Sequence, residues 1–182
     1  MFKVLLSLLI SVVTLSVSAA CYTYDNSSTQ VNWTAYKTPA KAGVNGSFKD
    51  IKVSPKKSSG SLTDIMTGAS FKIDTNSTHT KNPARDTKIE KFFFDGVQIS
   101  GKVTKLGKDK IYTTMTMNGT SVSVPLKMSL SGNTLTATGH IDILDFMMSK
   151  HLSSINKACK ALHEGKTWSD VKVTLKTSFK GC

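Results

Sequence analysis

The chain has 182 residues, with 24 Lys and Arg against 12 Asp and Glu, for a formal net charge of +12. That length suits one domain and is enough to bury a core or line a cavity. The positive excess falls as single lysines among Thr and Ser, the pattern of solvated outer strand faces. With no basic helix and no aromatic-basic stripe, a nucleic-acid partner is not expected.

Residues 1–20, MFKVLLSLLISVVTLSVSAA, read as a signal peptide: Lys3, an apolar run from Val4 to Val17, then small residues. The folded domain is expected over residues 21–182, in a periplasmic or secreted setting. No later segment has the roughly 18 uninterrupted apolar residues of a membrane span. From Tyr22 onward the dominant signal is alternation. VNWTAY puts Val31, Trp33 and Ala35 on one face. ASFKID does the same with Ala69, Phe71 and Ile73, and IYTTMTM with Ile111, Thr113, Met115 and Met117. VSVPLKMSL, LTATGHIDI and VKVTLKTSF repeat the pattern, which predicts half-buried antiparallel strands. Asn118-Gly119, Ser131-Gly132-Asn133 and Gly107-Lys108-Asp109 read as the turns between them.

The spacing predicts about eight strands, near 22–37, 43–53, 68–75, 96–105, 109–118, 120–130, 133–145 and 167–180. An all-β sandwich or a closed eight-stranded antiparallel barrel satisfies that count, and a barrel leaves room for one ligand. One helix is expected between the last two strands, where Leu152, Ile155, Cys159 and Leu162 recur at helical spacing and Gly165 suits the C-terminal cap. A shorter helix is expected over NPARDTKIEKF, with Pro83 in its first turn and Ile89 inward.

Three cysteines are present, Cys21, Cys159 and Cys182. An even number of up-and-down strands brings the first and last strands together, antiparallel, at the seam. Cys21 begins the first and Cys182 ends the last, so they are expected to form a disulfide in an oxidising compartment. The rival reading makes Cys21 the lipidated first residue of a lipoprotein, although Ser18 stands where a lipobox usually has leucine. Cys159 reads as a buried free thiol. Cys159 and His163 share a helix face, but two ligands do not make a metal site, and no metal or cofactor is expected. His140 falls on the solvent side of its strand. No catalytic or nucleotide-binding signature is present. Asn-x-Ser/Thr occurs at Asn26, Asn32, Asn45, Asn76 and Asn118, and only Asn76 has an acidic residue two positions before it.

GVNGSF, FKIDTNST and ARDTKIEKFFFDG together resemble the YceI-like family. The residues that carry the likeness are Gly46 and Phe48, Ile73 and Asp74, Asn82, Arg85 and Asp86, then Phe93, Phe94 and Asp95. Order and spacing agree across roughly residues 22–145. With no catalytic signature in the sequence, the chain is not expected to be an enzyme; the resemblance implies an exported, lipocalin-like, eight-stranded barrel. It also implies a long-chain lipid partner, a polyisoprenoid, quinone or fatty-acid amide, held in a long apolar tunnel. The chain departs from the family pattern at TMTMNGTSVSVP and at ILDFMMSKHLSS, where Asp145 and Phe146 are kept.

Burial of a forty-carbon tail, with several hundred Å² of apolar surface, offers on the order of 10 kcal/mol before ordering costs. A dry tube suffices for that. The expected ligand-binding lining is Trp33, Phe48, Phe71, Val97, Ile99, Met115, Val124, Leu126, Ile141 and Phe179. Read as a strand, the triplet Phe92-Phe93-Phe94 would turn Phe92 and Phe94 to the tunnel mouth and Phe93 under the loop. Arg85 is expected to pair with Asp86 or another carboxylate, or else to meet a headgroup together with Lys88. Two rival functions remain: an enzyme acting on such a lipid, and a packed structural barrel without a ligand. A monomer or a homodimer fits either way, with membrane contact only for ligand exchange.

Overall fold

The alternating segments form one curled antiparallel sheet of twelve strands in the computed structural model, which describes residues 20–182. The signal peptide expected over residues 1–20 lies, apart from Ala20, outside the described residues. The strands are β1 Tyr22–Tyr24, β2 Gln30–Lys37, β3 Ala42–Phe48, β4 Ile51–Ser54, β5 Ser59–Gly60 and β6 Ser70–Ile73. They continue with β7 Thr78–His79, β8 Ile99–Leu106, β9 Lys110–Met117, β10 Thr120–Ser131, β11 Thr134–Asp142 and β12 Thr167–Gly181. Their order is β4-β6-β8-β9-β10-β11-β12-β2-β3-β7, with β1 on β12 and β5 on β1.

The strand count exceeds the expected eight because polar turns interrupt the expected strands 22–37 and 43–53, and because β5 and β7 are two-residue strands outside every expected range. Asp25 accepts from the Ser27 amide at 3.1 Å, and a 3-10 turn at Asn26–Ser28 divides β1 from β2. Both pieces still pair with β12. Asp74 caps a second 3-10 turn, Thr75–Ser77, which divides β6 from β7. Opposite it, Lys49-Asp50 divides β3 from β4, so β6 pairs with β4 and β7 with β3. The two ends of the hydrogen-bonded path, β4 and β7, therefore come from two broken segments that face each other. The sheet curls back on itself there.

Helical segments are more numerous than the two helices expected: α1 Leu62–Met66, α2 Pro83–Lys88, a π-helix Ile89–Phe94, α3 Ser149–Ala158 and α4 Lys160–His163. The helix between β11 and β12 breaks at Cys159, whose backbone leaves helical geometry at φ −118°, ψ 19°. Gly165 then exits the last turn with φ +74°, its amide donating to the Lys160 carbonyl at 3.0 Å.

The hairpin from β9 to β10 turns on Asn118 and Gly119 alone, with φ 49° and 71°. Positive φ at both central residues is what a tight two-residue hairpin of right-handed twist requires. Inside the curl, one half is filled by Val103, Ile111, Val124, Leu126, Leu135, Ala137 and Phe179, all buried. Leu126 fits there because Gly139 faces it: a Cβ at that glycine would lie 2.7 Å from the Leu126 side chain. His140 is exposed on the outer face.

A disulfide joins Cys21 and Cys182, 161 residues apart, and the Cys182 amide donates to the Cys21 carbonyl. It ties β1 to the end of β12. Cys21→Ser with Cys182→Ser is expected to lower stability by up to about 5 kcal/mol in the chain-entropy account. Denaturant unfolding with and without reductant measures this; reductant should bring the parent chain to the variant's midpoint.

Candidate ligand cavity

The other half of the curl is not filled. A cavity of about 400 Å³ opens there between the sheet and the helices. Trp33 and Ala35 from β2, Val44 and Phe48 from β3, and Val171 and Val173 from β12 form its sheet wall. Leu152, Ile155, Cys159 and Leu162 from α3 and α4 cover it, on the helix face the spacing indicated. Ile99, Met117, Ile141 and Ile143 close its inner end.

The triplet enters through a π-helix rather than a strand. Asn82 caps α2 by accepting from the Arg85 amide at 3.0 Å, and Pro83 occupies the first turn. The helix then widens, and the Asp95 amide bonds to the Glu90 carbonyl five residues back, at 2.8 Å. It ends through Asp95 and Gly96, both at positive φ. In this wider turn the neighbours Phe93 and Phe94 both reach the cavity, while Phe92 does not and instead lies under the Lys91 ammonium. The expected outward-inward alternation of the triplet is thus corrected: Phe93 takes the place given to Phe92. His151 of α3 bonds through Nδ1 to the Phe93 carbonyl at 2.8 Å and holds this turn against the cover.

Four aromatic rings form a continuous wall. Phe93 meets Phe94 at 4.9 Å between centroids, Phe94 meets Phe48 at 5.9 Å, and Phe48 meets Trp33 at 6.4 Å. Trp33 lies across Gly46, where a Cβ would come within 2.2 Å of the indole ring. The buried indole Nε1–H has no acceptor among the described residues, and an unsatisfied buried donor costs stability.

Of the residues expected to line a tunnel, Trp33, Phe48, Phe94, Ile99 and Ile141 border this cavity. Phe71, Val97, Met115, Val124, Leu126 and Phe179 do not; Val124, Leu126 and Phe179 are buried in the packed interior, and Phe71, Val97 and Met115 are half-buried against it. Phe179 stacks edge-on with Tyr22 near the disulfide. The physical reason is that an inward strand position can contribute to either half of the curl, and the repeat of two does not tell which.

The mouth is basic. Lys37, Arg85, Lys88 and His163 border it, with Tyr36, Asn82, Leu162 and Trp168. Arg85 does not pair with Asp86. Its Nε donates to Thr80 Oγ1 at 2.8 Å and its Nη2 to the Thr80 carbonyl at 2.9 Å. Asp86 accepts from the Thr80 amide at 2.8 Å and from its hydroxyl, so both side chains hold the loop through Thr80. Lys37 Nζ reaches the Leu162 carbonyl at 3.3 Å. Burial, and then the charges of Lys37 and Lys88, push the His163 imidazole below its ordinary pKa. Thr167 donates to Asn156 at 2.9 Å, so its contact with His163 Nδ1 at 2.7 Å makes that nitrogen the donor. Trp168 sits at a register shift in the pairing of β12 with β2, and its Nε1 donates to the Thr38 carbonyl at 2.8 Å. The irregularity aims it at the rim, as bulges commonly do. Sequence reasoning missed Lys37 and Trp168, which no periodicity distinguishes from surface residues, and weighed His163 only as a metal ligand beside Cys159. Among the described residues no cluster of three metal-ligating side chains exists, and no helix is long and apolar enough to cross a membrane.

The fold and the cavity define a domain built from one curled antiparallel sheet around an apolar, ligand-sized space. The chain belongs to the YceI-like family: the YceI-like domain model matches residues 22–179. Solved structures share the fold at low identity. One is a polyisoprenoid binding domain from Saccharophagus degradans implicated in plant cell wall breakdown, 14% identical with a TM-score of 0.59, covering 90% of this chain and 99% of that one. Another is BcnA of Burkholderia cenocepacia, 16% identical with a TM-score of 0.55, covering 84% and 97%. A third is a YCEI protein of Campylobacter jejuni, 16% identical with a TM-score of 0.57, covering 78% and 86%. No curated protein sequence matches the chain.

Gly46→Ala is expected to cost about 1–3 kcal/mol, because the indole must leave its place over the strand. Unfolding curves and the shift of tryptophan emission report both consequences. Ser47→Ala, the next residue along β3, serves as the comparison.

Proposed function

We propose that this chain is an exported carrier, periplasmic or secreted, that holds a long-chain lipid such as an isoprenoid, a quinone or a fatty-acid amide. The observation that carries the reading is the unfilled half of the interior. About 400 Å³ of space is bordered by Trp33, Phe48, Phe93, Phe94 and aliphatic side chains. A packed structural barrel would have filled it, because interiors otherwise reach crystal-like density. The Saccharophagus degradans domain, whose fold this chain shares, is a polyisoprenoid binding domain, which supports the same ligand class here. The kinked β3–β4 segment would serve as the seam of a closed barrel around that ligand.

The cavity falls at the lower end of the roughly 300–1,000 Å³ usual for small-molecule sites. A drug-sized ligand fits it directly. A forty-carbon tail requires α3 and α4 to move outward or leaves part of itself outside. Binding therefore favours shorter chains unless the cover opens.

Native mass spectrometry of the mature protein from an exporting host, followed by organic extraction, tests the reading. A stoichiometric apolar adduct is expected, and Ala35→Phe, which fills the cavity from β2, should abolish it while the fold persists. An adduct-free parent mass, with no uptake of added polyprenols, quinones or fatty amides, would favour the packed structural barrel.

A further inference from the structure

We infer that the cavity mouth selects an anionic head: the ligand is an amphiphile with a carboxylate or phosphate at one end of its apolar tail. The inference rests on the carrier reading and deepens it. Lys37 comes from β2, Arg85 and Lys88 from α2, and all three border the same mouth. None of them makes an ion pair among the described residues. Among the described residues no carboxylate borders the cavity.

Two of the acidic groups nearby are committed elsewhere. Asp86 faces Thr80, with His79 at 3.9 Å. Asp170 is held by Lys41 at 2.8 Å, and Glu164 is exposed past the end of α4. Three like charges around an apolar opening repel one another, and after burial it is the charges of Lys37 and Lys88 that disfavour protonation of His163 between α4 and β12. Arg85 is already fixed by its two bonds to Thr80, so part of its guanidinium is oriented before any ligand arrives. A neutral quinone or amide would leave this charge uncompensated. An anionic oxygen at the mouth, with its tail against the Phe93–Phe94–Phe48–Trp33 wall, satisfies both halves of the site.

Matched pairs separate the head from the tail. Palmitate is compared with hexadecanol, and geranylgeranyl phosphate with geranylgeraniol, by displacement of a fluorescent fatty-acid probe. A charged hydrogen-bonded head should bind about 10–100-fold tighter than its alcohol. That gap should narrow between roughly 0.01 and 0.15 M salt. Lys88→Met and Lys37→Met should each reduce it, while Lys102→Met, an exposed lysine on β8, should leave it in place. A gap in the palmitate pair alone assigns a carboxylate, and one in the phosphate pair alone assigns a phosphate. Equal binding of acid and alcohol, or a gap lowered as much by Lys102→Met as by Lys88→Met, overturns the anionic head and leaves the carrier standing. Binding of no member of either pair overturns both.

Discussion

The backbone of β12 is hydrogen-bonded along both edges, to β11 on one side and to β1 and β2 on the other. A strand of fifteen residues so held cannot slip, because a one-residue shift would turn Val171, Val173 and Leu175 to solvent. Its two ends have opposite fates. At the C-terminal end it reaches the disulfide, beside the packed half of the curl. At the N-terminal end its pairing with β2 is irregular, and Trp168 turns towards the cavity rim. Order at one end and an opening at the other come from the same strand.

The cavity persists because the helical cover is fixed at points around it rather than across it. His151 ties α3 to the π-helix through the Phe93 carbonyl. Asn156 of α3 donates to the Gly165 carbonyl and accepts from Thr167, which joins the cover to the start of β12. Thr80 holds Arg85 and Asp86 at the entrance to α2. Each contact satisfies polar groups at the rim and leaves the interior to apolar side chains. An aromatic wall is suited to such a space: rings stay rigid with few rotamers and keep their shape when the space is empty.

The π-helix explains the dense stretch of charge and grease in ARDTKIEKFFFDG. An ordinary helix places successive residues about 100° apart, so two adjacent rings rarely share a target. The wider turn brings Phe93 and Phe94 together on the cavity, and the cost falls on Asp95 and Gly96, which take left-handed geometry to leave it. Departures of this kind are common where a site is being shaped rather than a core filled.

The sequence by itself determined the all-β class, the inward set of Trp33, Phe48, Ile99 and Ile141, and the apolar face of Leu152, Ile155, Cys159 and Leu162. These follow from residue periodicity, a local property that survives into the fold because the backbone repeats of strand and helix impose it. The meeting of Cys21 and Cys182 was legible too, because antiparallel topology brings the first and last strands together. Only the tertiary structure decided which inward residues line space and which fill it, since Trp33 and Leu126 obey the same alternation in opposite halves of the curl. It also decided that Phe93 rather than Phe92 faces the cavity, and that Lys37, Lys88 and His163, from three separate elements, surround one mouth. Those outcomes depend on how distant segments meet in space, and a chain read residue by residue carries no record of that.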